Sequence, residues 1–317
     1  MSAVGPGAAP GSTLFLQGFR GGFSLEFWLQ QTLNALQLGS IYALIALGYT
    51  MVYGILRLIN FAHGDIFMVG AFIGLAGALW LGLPMVPTLL LTMVCTALLG
   101  VTIERLAYKP LRNAPRVSAV ITALGVGIFL EHFVLGTVGA EPRAFPALIA
   151  AHRFDLPGGL TLSSVQLLII GVSVGLMLAL DWFIRGTLTG MAMRAISWDR
   201  AVVPLMGISV DRIISLTFAI GSGLAAAGGV LFGQAYPIID PYMGILVGWK
   251  AFIAAVVGGI GNVRGAMLGG YILGMTEIYV AAVLPSTYRD FVAFTLLLLL
   301  LVFRPTGILG RVQAQKV

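Results

Sequence analysis

Charge is scarce in this chain: Asp, Glu, Lys and Arg supply 9% of its 317 residues, where a soluble domain carries about a quarter. That scarcity excludes a soluble enzyme. The single cysteine, Cys95, lies in an apolar run and leaves neither a disulfide framework nor a thiolate metal site. Three histidines far apart make no structural zinc site. The three lysines follow Tyr108, Trp249 and Gln315, so there is no G-x-x-x-x-G-K-[ST] phosphate loop and no ATP site of that kind. H-E-x-x-H and G-x-S-x-G are missing too, and no nucleophile–base pair stands out, which leaves an intramembrane hydrolase without residues. No cofactor and no metal is implied.

What fills the chain is hydrocarbon. Apolar residues reach 59%, mean hydropathy is +1.00, and the charges cluster between long uncharged runs. Residues 27–56, 66–103, 156–180 and 213–239 carry no formal charge, and each is long enough for one or two helices across a core of roughly 30 Å. A β-barrel needs strands of about ten residues with alternating polarity, and stretches such as 296–301 have none. Pro84 and Pro87 break 66–103 into helices expected at 66–82 and 87–103. With 27–56, 117–137, 162–184, 213–235, 244–259, 265–284 and 290–304, the sequence predicts an all-α, polytopic integral membrane protein. Nine transmembrane helices are expected, or eight crossings plus a re-entrant segment, because 244–259 and 290–304 are short for such a core. Membrane lipid is then its first partner, and the net charge of +6 follows topology rather than nucleic acid.

Counted over alternate loops, thirteen basic residues fall on one side. They are Arg57, then Arg105, Lys109, Arg112 and Arg116, then Arg185, Arg194, Arg200 and Arg212, then Arg264, and finally Arg304, Arg311 and Lys316. Four fall on the other side, Arg20, Arg143, Arg153 and Arg289, with Lys250 near a helix start. The positive-inside rule then puts the N-terminus outside and the C-terminus inside. Residues 1–24, rich in Gly, Ala, Pro and Ser and without the basic start of a secretory signal, read as a flexible outer tail. Residues 25–305 make the membrane domain and 306–317 an inner tail.

The long inner connection 185–212 is an element in its own right. Met193, Ile196, Val203 and Met206 recur at near-helical spacing, Arg194, Asp199 and Arg200 lie between them, and Gly207 is placed to stop a helix. Such a helix either docks into a groove on a soluble partner or lies on the lipid surface, and Pro204 must bend or end it. Gly261, Gly265 and Gly269 recur every four residues, as do Gly229 with Gly233 and Gly70 with Gly74, a pattern that lets helices approach closely. Two turns have related textures and suggest a weak internal repeat: one holds Asn60, His63, Gly64 and Asp65, the other Asn262, Arg264 and Gly265. Either Asn60 caps the next helix, with Asp65 favoured in its first turn by the helix dipole, or both serve a transport path. Among ionisable residues inside spans, Glu131 and His132 fall toward an outer helix end and Asp181 toward an inner one. Glu277 is deeper and needs a partner, a watery cavity or a proton.

Several stretches together resemble a known family. NALQLGSIYALIALGYTMVYGILRLINFAHGDIFMVGAF, MRAISWDRAVVPLMGISVDRIISLTFAIGSGLAAAGGVLFG, WKAFIAAVVGGIGNVRGAMLGG and the ending FRPTGILGR are similar to the LivH-type permease of branched-chain amino-acid ABC importers, from about Asn34 to Arg311. The resemblance implies a multi-pass subunit of the bacterial inner membrane. Its expected partners are a second, related permease, two cytoplasmic ATPase subunits and a periplasmic solute-binding protein. It also implies that Met193, Arg194, Ala195, Trp198, Asp199, Arg200, Met206 and Gly207 belong to the ATPase-coupling segment, with Trp198 standing where relatives often carry an acid. Asn60, His63 and Gly64 match the N-F-A-H-G signature, and Gly258, Gly259, Gly261 and Gly265 the late glycine-rich turn.

The expected function is that of a permease subunit without catalytic residues, with ATP hydrolysis on separate subunits. Candidate pathway residues are Asn60, His63, Gly64, Gly258, Gly259, Gly261, Asn262, Gly265 and Glu277. A urea or amide permease is the alternative within the class, since a neutral amide suits the same weakly charged lining. A proton-coupled carrier resting on Glu277 and Glu131 is the alternative outside it.

Overall fold

The computed structural model describes residues 24–112, 114–200 and 202–310; the tail expected at 1–24, apart from Ser24, and residues 311–317 lie outside them. The chain begins with α1, Leu25–Leu56, whose first turn is capped where the Ser24 side chain accepts from the Phe27 amide. At 1.5 Å per residue its 32 residues extend about 48 Å, and between Leu38 and Val52 it is buried on every side. It is the axis of the bundle. A helix apolar all round has to be enclosed, and α7 (Val210–Ala235), α8 (Met243–Gly258) and α9 (Val263–Val283) enclose this one.

α2 (His63–Trp80) and α3 (Met85–Ile103) flank α7, joined by a turn at the expected prolines. α3 runs on through a π turn, Glu104–Tyr108, and a 3-10 turn, Lys109–Leu111. There the fully buried Glu104 pairs with Arg112 and accepts from the Ser215 hydroxyl at 2.6 Å, while Arg112 and Lys109 hold Asp211 at the start of α7. α4 (Arg116–Val138), α5 (Ser164–Gly186) and α10 (Tyr288–Phe303) are peripheral. The expectation of helices alone is modified by two small antiparallel sheets: β1 (Arg143–Ala144) pairs with β4 (Ile238–Ile239), and β2 (Arg153–Leu156) with β3 (Leu160–Ser163). Gln30 at the start of α1 ties down the β2–β3 hairpin through Thr161, so this is the end opposite the 185–212 segment.

Peripheral helices turn apolar faces outward: Leu90, Val94 and Leu98 on α3, and Ile121, Leu124 and Ile128 on α4, are all exposed. Such stripes would be an aggregation liability in water and are ordinary in lipid. Among the described residues, seven helices are long and apolar enough to cross a membrane, while α8 and α10, at 16 residues, are shorter.

The glycine stripes do what close helix packing requires. A Cβ on Gly70 would fall 2.6 Å from the Ala226 backbone, and one on Gly74 2.7 Å from Val230. Gly261 departs from the expected stripe with Gly265 and Gly269: it lies before α9, in the turn, with φ +92°. Lys250 is likewise not near a helix start; it sits seven residues into α8 and is buried. The first residues of the C-terminal segment fold back, Ile308 and Leu309 donating to the carbonyls of Val257 and Gly258 at 2.9 and 3.0 Å.

Candidate functional site

The expected amphipathic element exists but is shorter than its apolar periodicity suggested. Thr187 caps α6, Leu188–Trp198, by accepting from the Gly190 amide, and the helix stops at Asp199 rather than continuing to Met206. Pro204 explains the difference, since a proline in mid-helix removes a hydrogen bond and clashes with the preceding turn. It falls instead in a 3-10 turn, Val203–Met206, which Gly207 ends in the left-handed conformation. Met193, Ile196 and Val203 are buried against the bundle, and Ala195 is partly covered. Trp198 (75% exposed), Leu205 (85%) and Met206 (72%) face away from it.

Arginines anchor this segment. Arg200 donates to the Ile55 carbonyl at 2.8 Å, near the last turn of α1, and Arg57 donates to the Ser197 carbonyl at 3.3 Å. Burial, then the nearby Arg112 and Arg57 guanidiniums, lower the pKa of Arg200 from its ordinary value, although a guanidinium stays charged in proteins. The Asp199 carboxylate accepts from the Val202 amide, closing the turn after α6.

Beside α6 lies a cavity of about 710 Å³, between the ends of α1, α5 and α6 and the turn before α9. Met193, Arg194, Gly261 and Asn262 line it together with Thr50, whose buried hydroxyl has no hydrogen-bond partner among the described residues. Asp181 contributes a carboxylate held by Arg185 at 2.9 Å and Arg264 at 3.0 Å.

The other candidate pathway residues have different surroundings. Gly258 and Gly265 press α8 against α9, each leaving no room for a Cβ beside the other's backbone, and Gly259, with φ +108°, lies against Gly310. Asn262 caps α9 through its side chain and donates to the Leu309 carbonyl at 2.7 Å. The parallel expected at Asn60 fails. The cap position of α2 is Ala62, because the chain turns through 60–62 first, and the Asn60 side chain accepts from the Tyr108 hydroxyl at 2.7 Å. His63 is buried against Gly48, and Gly64 lies between Gly244 and Gly248. Glu277 receives hydrogen bonds from Tyr42 and, at 3.1 Å, from Lys250, which also pairs with Asp290 at 2.7 Å.

Sequence reasoning missed a second cavity of about 210 Å³ between α2, α4 and α8. Asp65 and Glu131 both line it and both are 9% exposed, so Glu131 is turned inward rather than toward an interface. Its neighbour His132 does point outward. A carboxylate amid an uncharged span was the signal, and position along the helix alone misjudged it.

Helices apolar enough for a bilayer, packed around one long central helix, with an anchored amphipathic helix at one end, make this a polytopic membrane protein. The chain belongs to the family described as branched-chain amino acid transport system / permease component, which matches residues 31–301. It is 44% identical over 304 residues to the high-affinity branched-chain amino acid transport system permease protein LivH of Escherichia coli K12, covering 92% of this chain and 98% of that one. To BraD of Pseudomonas aeruginosa, a protein of the same description, it is 45% identical over 301 residues, with 92% and 98% covered. The probable branched-chain amino acid transport permease protein LivH of Methanocaldococcus jannaschii is 27% identical over 298 residues, with 87% and 91% covered.

Proposed function

We propose that this chain is one of two related permease subunits of an ATP-driven importer for branched-chain amino acids, and that it forms half of the translocation pathway in a bacterial inner membrane. Two cytoplasmic ATPases and a periplasmic solute-binding protein complete the assembly. The observation that carries the reading is the exposed apolar surface of Trp198, Leu205 and Met206 on a segment tied to α1 by Arg200. An apolar patch at a bundle end whose surroundings are rich in arginine suits a groove on a soluble partner. Free energy from nucleotide binding reaches the helices only through a contact with two arrangements, and a short helix gripping the end of the central helix can transmit such a push.

In this reading the end bearing α6 is cytoplasmic, the N-terminus is outside, and nine helices cross or enter the membrane. The clustering of Arg57, Lys109, Arg112, Arg185, Arg200 and Arg264 at that end supports the orientation. The 710 Å³ cavity beside α6, lined by Gly261 and Asn262, then opens to the cytoplasm as an inner vestibule.

Asp199→Arg tests the coupling role. It is expected to lower uptake and ATPase co-purification together while membrane insertion stays normal; unchanged uptake and co-purification would overturn it. A proton-coupled carrier predicts instead that the chain alone moves solute down a proton gradient and that Glu277→Gln abolishes this. The pairing of Glu277 with Lys250 and Tyr42 favours a structural role for that carboxylate.

A further inference from the structure

The 210 Å³ cavity holds two carboxylates that no other described residue answers. Neither Asp65 nor Glu131 is hydrogen-bonded or ion-paired to another side chain among the described residues, and no lysine or arginine lines the space around them. Their position is deep. α2 begins beside Gly48, eight residues before the end of α1, about 12 Å inside at 1.5 Å per residue. The Asp65 carboxylate lies against Gly127, one helical turn before Glu131 on α4, and a Cβ on Gly244 would stand 3.0 Å from its other oxygen. Glycines on both neighbouring helices thus make room for it.

A charge at mid-bilayer costs on the order of 3 kcal/mol or more unless it is paired or faces water. The N-terminal dipole of α2 offsets part of this for Asp65. Glu131 lies seven residues from the C-terminal end of α4, too far from either end of the helix for its dipole to offset the charge. The other deep carboxylate, Glu277, shows the chain's own remedy, a lysine from the next helix. Asp65 and Glu131 lack that remedy and are left to water, a proton or the cationic group of a ligand.

The walls say which kind. Tyr49, Phe61, Trp249 and Phe252 supply aromatic faces, which attract an organic cation and pack against hydrocarbon. A volume of about 210 Å³ is below the roughly 300–1,000 Å³ of drug-sized pockets and suits one small solute. Leu124, Ile128, Ile245 and Trp249, all more than 40% exposed, rim the opening. A pair of acids opening between them is costly against lipid, so this side of α4 and α8 is the one turned toward the second permease of the proposed pair and the path between the two.

We propose that this cleft receives the ammonium group of the transported aliphatic amino acid between Asp65 and Glu131, with its side chain against Trp249 and Phe252. The proposal rests on the importer reading above. Two measurements test it. In liposomes containing the full assembly, Asp65→Asn and Glu131→Gln each lower leucine uptake at least tenfold with membrane insertion and assembly unimpaired. On the isolated full chain in nanodiscs, 3-methylbutylamine, which keeps the ammonium of leucine but lacks its carboxylate, binds and is displaced by leucine. That binding falls at least tenfold in both variants, and 4-methylpentanoate, which lacks the ammonium, does not compete. Wild-type uptake in both variants overturns the site, as does amine binding that leucine fails to displace, a result read on the unmodified chain and independent of any variant's folding. An assembly that carries no leucine at all overturns the importer reading instead.

Discussion

Lys250 on α8 reaches the carboxylate of Glu277 on α9 at 3.1 Å, so two charges that neither helix could bury alone are buried together. The pairing is asymmetric. Lys250 has a second partner in Asp290 at 2.7 Å, whereas without the lysine Glu277 keeps only the Tyr42 hydroxyl.

Removing one partner of a buried pair costs about 3–5 kcal/mol, because the other charge is left uncompensated. Lys250→Met is therefore expected to destabilise the protein by about 3 kcal/mol or more and Glu277→Gln by less. The double variant should lose less than the sum. Unfolding in detergent measures all three, and equal losses from the two single variants would count against this account.

Trp198 exposes three quarters of its surface at the end of α6. Buried tryptophans at interface centres contribute about 2 kcal/mol or more. Trp198→Ala is expected to weaken ATPase association at least tenfold while thermal stability of the isolated chain stays within about 0.5 kcal/mol of the parent. Co-purification and a binding titration read the first, and a melting curve the second.

A Cβ on Gly48 would run into the imidazole of His63. Overpacking of a buried site costs about 1–3 kcal/mol, so Gly48→Ala should lower stability by about that amount. Gly48→Ala combined with His63→Ala should recover part of it, because the colliding ring is gone. Failure of the second change to relieve the first would show that the two residues do not share this space.

Gly127 and Gly125 are two residues apart on α4 and differ in surroundings: a Cβ at 127 meets the Asp65 carboxylate, and one at 125 meets nothing within 4 Å. Gly127→Ala is expected to lower uptake severalfold or more and Gly125→Ala to leave it unchanged, as measured in liposomes with the full assembly. Comparable effects from both would argue for a general helix perturbation rather than displacement of Asp65.

The amino-acid sequence by itself determined that the chain is helical and dissolved in lipid, where its apolar helices break, and that 185–212 is a separate amphipathic element. Uninterrupted hydrocarbon, prolines and periodicity are local properties, legible without a fold. Pro204 barred a helix through to Met206, although α6 already ends at Trp198. What tertiary structure alone decided is which deep charges are answered. Glu277, Glu131 and Asp65 look alike along the chain, each a carboxylate within or beside an apolar run. Packing brings Lys250 to the first and aligns the other two on one cavity with no cation among its lining residues. The cost of a charge in lipid depends on what stands a few ångströms away, and in a bundle that neighbour comes from a distant helix.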